Sequence, residues 1–284
     1  MCNLIRAEWE RLLHSLIYRI ALLVSVGLPV VIMIGRWWDI QKHREAYESM
    51  GEEWTSPDAL LFASILCIAL IVAACISIFL GTEYADGTIR NKLMVGHKRS
   101  SIYLSKIIVC LVATTLLWVW NVACAWLMGR WLLGKYLMET EAMGKTFLVG
   151  LVAMWAATAL ILMISMLIQN IGIGTMVNLL VYIAAIVFSV TVYQKLRAPE
   201  YYPEFEIDPQ SGQVEAIEKK NELYLGGTAR KIYEVLNTLP YGQMGAIADG
   251  GMIEDVPLAL LYDGVMIVVS SAIGIVVFKK SNLK

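Results

Sequence analysis

Residues 59–80 read ALLFASILCIALIVAACISIFL and carry no charged side chain, whereas residues 83–106, EYADGTIRNKLMVGHKRSSIYLSK, form a short, polar and basic stretch. The chain then returns to apolar sequence at residues 107–120, IIVCLVATTLLWVW. A helix that rises about 1.5 Å per residue needs roughly 20 residues to cross a hydrocarbon core of about 30 Å. The pattern therefore predicts two membrane spans joined by a short basic connection.

The composition of the whole chain is that of a membrane protein. Of its 284 residues, 58% are hydrophobic, and the mean hydropathy is +0.63, whereas soluble domains usually contain about 45–50% apolar residues. The first apolar run is longer than a signal-peptide core and ends without a small-residue cleavage site, so we expect it to remain as a span. We predict an all-α polytopic protein, residues 1–284 forming one transmembrane domain, with six spans near residues 16–35, 59–80, 107–129, 147–168, 173–193 and 257–278.

The charges of the connecting segments predict the orientation of the spans. Eleven Lys and Arg against four acids, a net charge of +7, are found in residues 1–19, 81–106 and 279–284. Twelve Lys and Arg against nineteen acids, a net charge of −7, are found in residues 36–58, 130–145 and 194–256. Because basic residues are enriched on the cytoplasmic side, both termini and the basic connection are predicted to be cytosolic.

Before the first span, apolar residues recur at the spacing of an amphipathic helix. They are Leu4, Ile5, Trp9, Leu12, Leu13 and Leu16. Arg6, Glu10 and Arg11 are expected to face away from them, so this helix would lie in the inner headgroup plane of the membrane. The alternative is that these residues are the polar start of one long first span.

The long outer segment, residues 194–256, predicts a small α/β insertion. Residues 204–215 alternate apolar and polar side chains around a Pro-Gln-Ser-Gly turn, as in a hairpin. Residues 228–237 begin with a Thr cap and end before Pro240, as in a helix. Because these elements make a poor core alone, we expect them to pack against the spans or a partner subunit. A flexible or re-entrant return to the membrane is marked by Gly242, Gly245, Gly250 and Gly251.

No residue pattern predicts catalysis or a metal site. Gly144-Lys145-Thr146 resembles the end of a phosphate-binding loop, but Glu139 stands where that loop needs its first Gly. The sequence contains no HExxH or GxSxG motif, and its three histidines are scattered. The cysteines have no disulfide-framework or CxxC spacing, and those within the spans are predicted to be small buried residues: Cys67, Cys75, Cys110 and Cys124.

Three polar residues within the spans are candidates for a substrate path. Asp263 is the one acidic residue inside a predicted span. A charge in hydrocarbon costs about 2.5–3.5 kcal/mol by the lower estimates, so Asp263 should face a cavity, a partner or water. It is either a structural carboxylate that bonds to water, Tyr262 or the outer segment, or a direct contact of the substrate. Asn121 and Asn178 are expected to form hydrogen bonds between helices or to line the same path.

The basic connection itself predicts a short helix. Thr88 is expected to cap a helix over residues 89–95 that stops at Gly96, and Ser100 or Ser101 is expected to cap the next helix. The apolar edge of the short helix consists of Ile89, Leu93 and Met94. So short a helix is unstable alone and needs something to dock against. The alternative is a basic loop that sets the topology and contacts anionic lipid.

This stretch resembles the signature of type-2 ATP-binding-cassette (ABC) exporter permeases. In that family, the second span is followed by a recurring series of features. They are an acidic residue, a Gly-Thr pair, a short basic helix, a Gly, a basic residue and a Lys that enters the third span. The six spans, the amphipathic start and the long outer segment are also similar, so the resemblance covers most of the chain. The matching residues, with Ile89 on the same helix, are Glu83, Gly87, Thr88, Arg90, Leu93, Gly96 and Arg99, and the sequence departs from the pattern at His97-Lys98.

The resemblance implies that residues 84–99 contain a coupling helix that sits in a cleft of a separate ATPase subunit. ATP and Mg would bind to that partner, and this chain would need no cofactor and would be no enzyme. The further partners implied are a second, identical or related permease, membrane lipid and an amphipathic or hydrophobic substrate, with no nucleic acid. The expected location is a bacterial cytoplasmic membrane.

A second stretch suggests a substrate class. Residues 226–236, GGTARKIYEVL, followed by residues 239–243, LPYGQ, resemble the outer segment of bacterial permeases associated with peptide-antibiotic export or immunity. The alternative function is a membrane sensor that binds a peptide through its outer segment and contacts a kinase through its cytosolic helix.

Overall fold

The computed structural model describes residues 2–281 except residues 208–213, 222–223, 252 and 254. Its elements are α1 (Cys2–His14), α2 (Leu16–Lys42), α3 (Arg44–Met50), α4 (Glu52–Thr55), α5 (Ile65–Ala85), α6 (Thr88–Met94), α7 (Arg99–Leu132), α8 (Thr140–Ile168), α9 (Ile171–Arg197), β1 (Tyr201–Ile207), β2 (Val214–Lys220), α10 (Gly227–Asn237), α11 (Pro240–Ala248) and α12 (Val256–Lys280). A 3₁₀ turn at Asp58–Leu60 precedes α5.

Six helices in the described part of the chain are long and apolar enough to cross a membrane. They are α2, α5 with the preceding turn, α7, α8, α9 and α12. The prediction of six spans is therefore confirmed, as is the all-α class with a small sheet before the last span. Pro29 lies inside α2 and is buried.

The first apolar region forms two helices instead of one. Ser15 separates α1 from α2, and its hydroxyl oxygen accepts a hydrogen bond from the backbone N–H of Tyr18 at 3.4 Å. Leu4 and Leu12 of α1 are buried. The polar start of the chain is thus a separate amphipathic helix, because the side chain of Ser15 caps the N-terminus of a new helix, α2.

The spans pack closely around aromatic and small side chains. Trp118 of α7 is fully buried, and its ring stacks between those of Phe62 and Phe147, with centroid distances of 6.0 and 6.1 Å. Near one end, a Cβ atom added to Gly81 of α5 would lie 2.6 Å from the Cα atom of Ile171 in α9. Glycine therefore permits the close approach of α5 and α9 at this point.

The outer segment contains the predicted strands and helix. β1 and β2 pair antiparallel, with Tyr201 opposite Lys220 and Ile207 opposite Val214. The predicted Pro-Gln-Ser-Gly turn between them lies outside the described residues. α10 covers the predicted helix and packs on α9 and α11. Residues 240–247 of α11 are all buried, in contact with α5, α8, α9 and α12, so the glycine-rich return to the last span is largely a packed helix.

One prediction about the cysteines needs correction. Cys75 and Cys110 are buried as predicted, but Cys67 is exposed on the outside of α5, where its small apolar side chain is compatible with lipid. Gly144-Lys145-Thr146 lies within α8, and the ammonium of Lys145 is 2.6 Å from the carboxylate of Glu141. These residues form part of a helix instead of a phosphate-binding loop.

Candidate functional site

The basic connection folds as the two-turn helix α6 between α5 and α7. Gly87 precedes it with a φ of +66°, and Gly96 follows it with a φ of +95°. Both values lie in the left-handed region that favours glycine. The backbone N–H of His97 donates to the carbonyl of Lys92 at 3.2 Å, so the predicted stop at Gly96 is confirmed.

The predicted helix caps are wrong in detail. Thr88 is the first residue of α6, and its hydroxyl donates to the carbonyl of Glu83 at 3.1 Å and accepts from Arg11 at 2.9 Å instead of capping the helix. α7 begins at Arg99 after Lys98, with no side-chain cap, so neither Ser100 nor Ser101 has that role. At the start of α6, the hydroxyl that the sequence predicts as a cap instead binds Arg11 of α1.

The apolar side chains of α6 do not all face the same way. Ile89 is only 1% exposed, and Leu93 packs against the core of the same chain. Met94 and Val95 are 78% and 79% exposed, and Arg90 is exposed beside them. The expectation that Ile89, Leu93 and Met94 form one free edge is therefore wrong, because the first two already have partners within the chain.

A set of buried charges ties α6 to three other helices. We call it the buried ion network: Glu8 of α1, Glu83 of α5, Lys92 of α6 and Lys106 of α7. The side chains of Glu8, Glu83 and Lys106 have no exposed surface. The ammonium of Lys106 is 3.1 Å from the carboxylate of Glu8 and forms an ion pair with Glu83. Lys92 forms an ion pair with Glu8 and lies 3.5 Å from Glu83.

Arg11 extends this network to the start of α6. Its guanidinium lies 3.1 Å from the carboxylate of Glu83 and 3.3 Å from that of Asp86, over the ring of Phe79. With its bond to Thr88, Arg11 contacts both α5 and the first residue of α6. The expectation that Arg11, like Arg6 and Glu10, faces away from the apolar side of α1 is wrong for its guanidinium, because the buried carboxylate of Glu83 attracts it toward the α5–α6 junction.

The four charges of the buried ion network sum to zero, but removing any one of them is expected to reduce the stability of the fold. Two carboxylates and two ammonium groups balance, and removing one partner from a buried ion pair typically costs about 3–5 kcal/mol because the other charge remains. Burial raises the pKa of Glu8, an effect that the nearby Lys106 ammonium opposes. These charges therefore favour one arrangement of α1, α5, α6 and α7.

Arg99 joins the start of α7 to the end of the last span. Its guanidinium donates to the carbonyls of Phe278 and Ser281 at 2.8 and 2.5 Å. The end of α12 therefore lies at the same end of the bundle as α1 and α6, which we call the α6 end. The opposite end, where α11 packs, is the α11 end.

The three polar candidates within the spans lie at three different helix interfaces. Asn121 accepts from Ser64 at 2.7 Å and donates to the carbonyl of Ser25 at 3.0 Å. Asn178 donates to Ser77 and Ser165, both at 2.7 Å. These contacts agree with hydrogen bonding between helices, and no contact among the described residues joins Asn121 with Asn178.

Asp263 is fully buried near the α11 end. One carboxylate oxygen accepts from the side-chain amide of Gln243 at 3.0 Å, and the other has no hydrogen-bond partner among the described residues. Of the predicted partners for this carboxylate, the outer segment therefore supplies one, through α11. Asp263 lies 15 positions before Phe278 on α12, near the opposite end of that helix. The structure therefore does not bring Asp263 together with the residues at α6.

Sequence reasoning missed Glu8 and Lys92, and it noted Lys106 without assigning it a contact. One signal for Glu8 was available, because it lies four residues from both Leu4 and Leu12 and so shares the apolar face of α1. A carboxylate on that face needs a buried partner. Nothing local identified that partner, since Lys106 is 98 positions away.

The fold defines a polytopic helical membrane protein with a short helix held at one end by buried ion pairs. The family model described as ABC-2 family transporter protein matches residues 4–190. The chain therefore belongs to the ABC-2 transporter family, as a multi-pass permease subunit of an ABC transporter. Membership of this family implies association with ABC ATPase subunits. A search of the curated proteins found no match.

Proposed function

We propose that this chain is the membrane subunit of an ATP-driven exporter and that the outer face of α6 docks on a separate ATPase subunit. The observation that carries the proposal is the exposure of Met94 and Val95 on a helix whose other face is tied to the chain. Two large apolar side chains beside Arg90 suit the apolar centre and polar rim of a protein interface. The docking face proposed is therefore Arg90, Asn91, Met94 and Val95.

The buried ion network gives this contact a mechanical consequence. Lys92 lies on α6, and its partners lie on α1 and α5, so a push on α6 would move these helices together. ATP and Mg would bind on the ATPase, and closure of two ATPase subunits would rock the spans of two permeases. Of the most apolar stretch of α9 and of α12, only 17% is buried within the chain, which leaves faces for a second permease, lipid or substrate.

The substrate proposed is amphipathic or hydrophobic, with a peptide antibiotic as the specific class that the outer segment suggests. The proposed location is the bacterial cytoplasmic membrane, with the α6 end and both termini in the cytosol. The net charge of +7 on the segments at that end supports this orientation.

The test is copurification with an ATPase encoded beside this chain. We expect Met94→Asp and Val95→Asp to reduce ATPase binding strongly, because each places a charge in an apolar contact. The matched control is Met50→Asp, at an exposed methionine on α3, which should leave binding unchanged. Leu93→Asp is a poorer probe, since Leu93 packs inward and the substitution would destabilise the permease.

The outcomes separate the proposal from its alternative. Retained ATPase binding in both Met94→Asp and Val95→Asp would show that the docking face is wrong. Absence of any bound ATPase, with a kinase recovered instead, would support the membrane sensor. Binding lost in the two α6 variants and retained in Met50→Asp supports docking of the ATPase on α6.

A further inference from the structure

In the part of the chain that the structure describes, the last span, α12, has hydrogen bonds to other elements only near its two ends. At the α6 end, Arg99 of α7 donates to the carbonyls of Phe278 and Ser281. At the α11 end, Asp263 accepts from the side-chain amide of Gln243 at 3.0 Å. Between these ends α12 packs along α8, and no hydrogen bond or ion pair joins those two helices among the described residues.

The contact at the α6 end is a helix cap that another helix supplies. The last four carbonyls of a helix have no partner within it, and that of Phe278 accepts from Arg99 at 2.8 Å. The guanidinium also lies over the ring of Phe278, 5.7 Å from its centroid. Its positive charge faces the negative end of the helix dipole. Arg99 therefore holds α12 through both the backbone and the side chain of its last turns.

A second contact, one turn further along both helices, fixes the position of α12 against α7. Tyr103 of α7 is fully buried, and Gly274 of α12 approaches its hydroxyl so closely that no Cβ atom fits there. Tyr103 is four residues after Arg99, and Gly274 is four residues before Phe278, so the two contacts share one face of each helix. Because interiors are closely packed, α12 cannot slide along α7 without displacing Tyr103.

The start of α7 is in turn joined to α6. The connection between them folds back on α6, because the backbone N–H of His97 donates to the carbonyl of Lys92 at 3.2 Å. The carboxylate of Glu8 also pairs with both Lys92 of α6 and Lys106 of α7. A displacement of α6 should therefore carry the first turns of α7, and with them Arg99.

At its other end, α12 is joined to α11. Asp263 lies 15 positions before Phe278, which is about 22 Å at 1.5 Å per residue. The amide nitrogen of Gln243 bonds to Asp263 and, at 3.3 Å, lies near the carbonyl of Ala259, one turn away on α12. The proline of α12, Pro257, lies in its first turn, where it does not interrupt the helix.

We propose that α12 is a rigid link that transmits movement of α6 to α11, with Arg99 and Asp263 as the positioning residues at its two ends. This role rests on the proposed function, because the movement of α6 would come from the ATPase. Coupling between distant sites is carried by packed elements and hydrogen bonds that join them, and α12 has specific contacts at both ends. The route differs from the one through Lys92 to α1 and α5, and it ends where α11 packs among the spans.

The first test measures hydrogen exchange of the purified chain in phosphatidylcholine nanodiscs by mass spectrometry. Arg99→Met removes the bonds to the end of α12. We expect the protection of the amides in its last turns to fall about tenfold or more, a factor that corresponds to about 1.4 kcal/mol. The control, Lys98→Met, removes the neighbouring exposed ammonium and should leave exchange unchanged. Unchanged protection in Arg99→Met would overturn the link at the α6 end.

A pair of glycine variants tests the contact with Tyr103 independently. Gly274→Ala places a Cβ atom against the Tyr103 hydroxyl, whereas a Cβ atom at Gly264 on the same helix has no neighbour within 4 Å. We expect Gly274→Ala to raise exchange in the last turns of α12 and the first turns of α7, and Gly264→Ala to change neither. An equal response in both variants would show that Tyr103 does not fix α12 against α7.

The second test measures exchange in the assembled complex, with and without ATP. In the unaltered complex we expect ATP to change exchange in both α12 and α11. Asp263→Leu removes the bond to Gln243, so the change should persist in α12 and be lost in α11. Arg99→Met should lose the change in both helices while the ATPase stays bound, since α6 itself is unaltered.

The outcomes separate this link from the proposed function. A full ATP response of α11 in both Arg99→Met and Asp263→Leu would overturn transmission through α12. If no ATPase binds to the unaltered chain, the proposed function fails and the transmission with it. The exchange of the chain alone still decides in that case whether α7 holds α12.

Discussion

The two ends of this bundle bury charged groups in opposite ways. At the α6 end, the ammonium of Lys106 lies between the carboxylates of Glu8 and Glu83, and all three side chains are fully buried. At the α11 end, Asp263 has only the neutral amide of Gln243 as a hydrogen-bond partner among the described residues. The first arrangement is complete within the chain, whereas the second lacks a positive partner. The helices of the α6 end are therefore held together more strongly than those of the α11 end.

The largest expected loss of stability comes from removing Lys106 from the buried ion network at the α6 end. In Lys106→Met, the carboxylates of Glu8 and Glu83 remain buried near one another without the ammonium between them, and only the partly exposed side chains of Lys92 and Arg11 still pair with them. We expect the free energy of unfolding to fall by about 3 kcal/mol, the lower end of the cost of breaking a buried ion pair by removing one partner, because these two cations compensate part of the negative charge. Equilibrium unfolding in mixed detergent micelles measures this loss.

A control and a second variant make the test of Lys106 specific. Lys98→Met removes an exposed ammonium just before α7 and should change stability by less than about 0.5 kcal/mol. Adding Glu83→Gln to Lys106→Met removes one of the two buried carboxylates that faced Lys106 and should recover part of the loss. No recovery in the double variant would mean that packing of the Lys106 stem, and not charge, stabilises this end.

An intermediate effect is expected where α5 and α9 approach each other near the α6 end. Gly81→Ala would place a Cβ atom 2.6 Å from the Cα atom of Ile171, which cannot be accommodated without a backbone shift. Overpacking of this kind costs about 1–3 kcal/mol. Unfolding in mixed micelles again provides the measurement.

Gly264 of α12 is the matched control for Gly81. A Cβ atom added there has no neighbour within 4 Å, so Gly264→Ala should be neutral or slightly stabilising, since alanine is the better helix former. A loss of stability as large in Gly264→Ala as in Gly81→Ala would show that the cost reflects helix glycines in general and not the α5–α9 contact.

The spans and α6 could be predicted because their signals are local. Uncharged runs of about 20 residues determine the spans, and Gly87 and Gly96 bound α6 through backbone conformations that glycine favours. The contacts of α6 could not be predicted in the same way. Glu8 and Lys92 are 84 positions apart, and the tertiary packing of α1, which lies against α7 and α2, brings them together.

The same reasoning explains the errors at single residues. Thr88 and Ser100 have the side chains of helix caps, but Arg11 binds the Thr88 hydroxyl, and α7 begins at Arg99, whose guanidinium bonds to the end of α12. At Thr88, a contact from a distant helix engages the predicted capping hydroxyl, and at α7 the helix begins one residue before the predicted cap. At the α11 end, the glycines indicated a return to the membrane, but the burial of Gln243 against Asp263 depends on tertiary packing.

The smallest effect is expected at Asn178, where neutral groups pair between helices. Asn178→Leu removes hydrogen bonds to Ser77 and Ser165, and such bonds in membrane proteins contribute about 0.6 kcal/mol on average, with a maximum near 1.7. The substitution also removes Oδ1, a buried acceptor with no hydrogen-bond partner among the described residues, which offsets part of the loss. We therefore expect a change of about 1 kcal/mol or less in the free energy of unfolding.

Thr175→Val on the same helix is the control for Asn178→Leu, because among the described residues the Thr175 hydroxyl bonds only to the carbonyl of Ile171 within α9. If Asn178→Leu costs as much as Lys106→Met, the distinction between charged and neutral pairing in this bundle is wrong. If instead stability is retained while ATP-driven transport by the assembled complex is lost, Asn178 contacts the substrate as well as its neighbouring helices. A neutral pair between helices would then contribute to substrate binding as well as to packing.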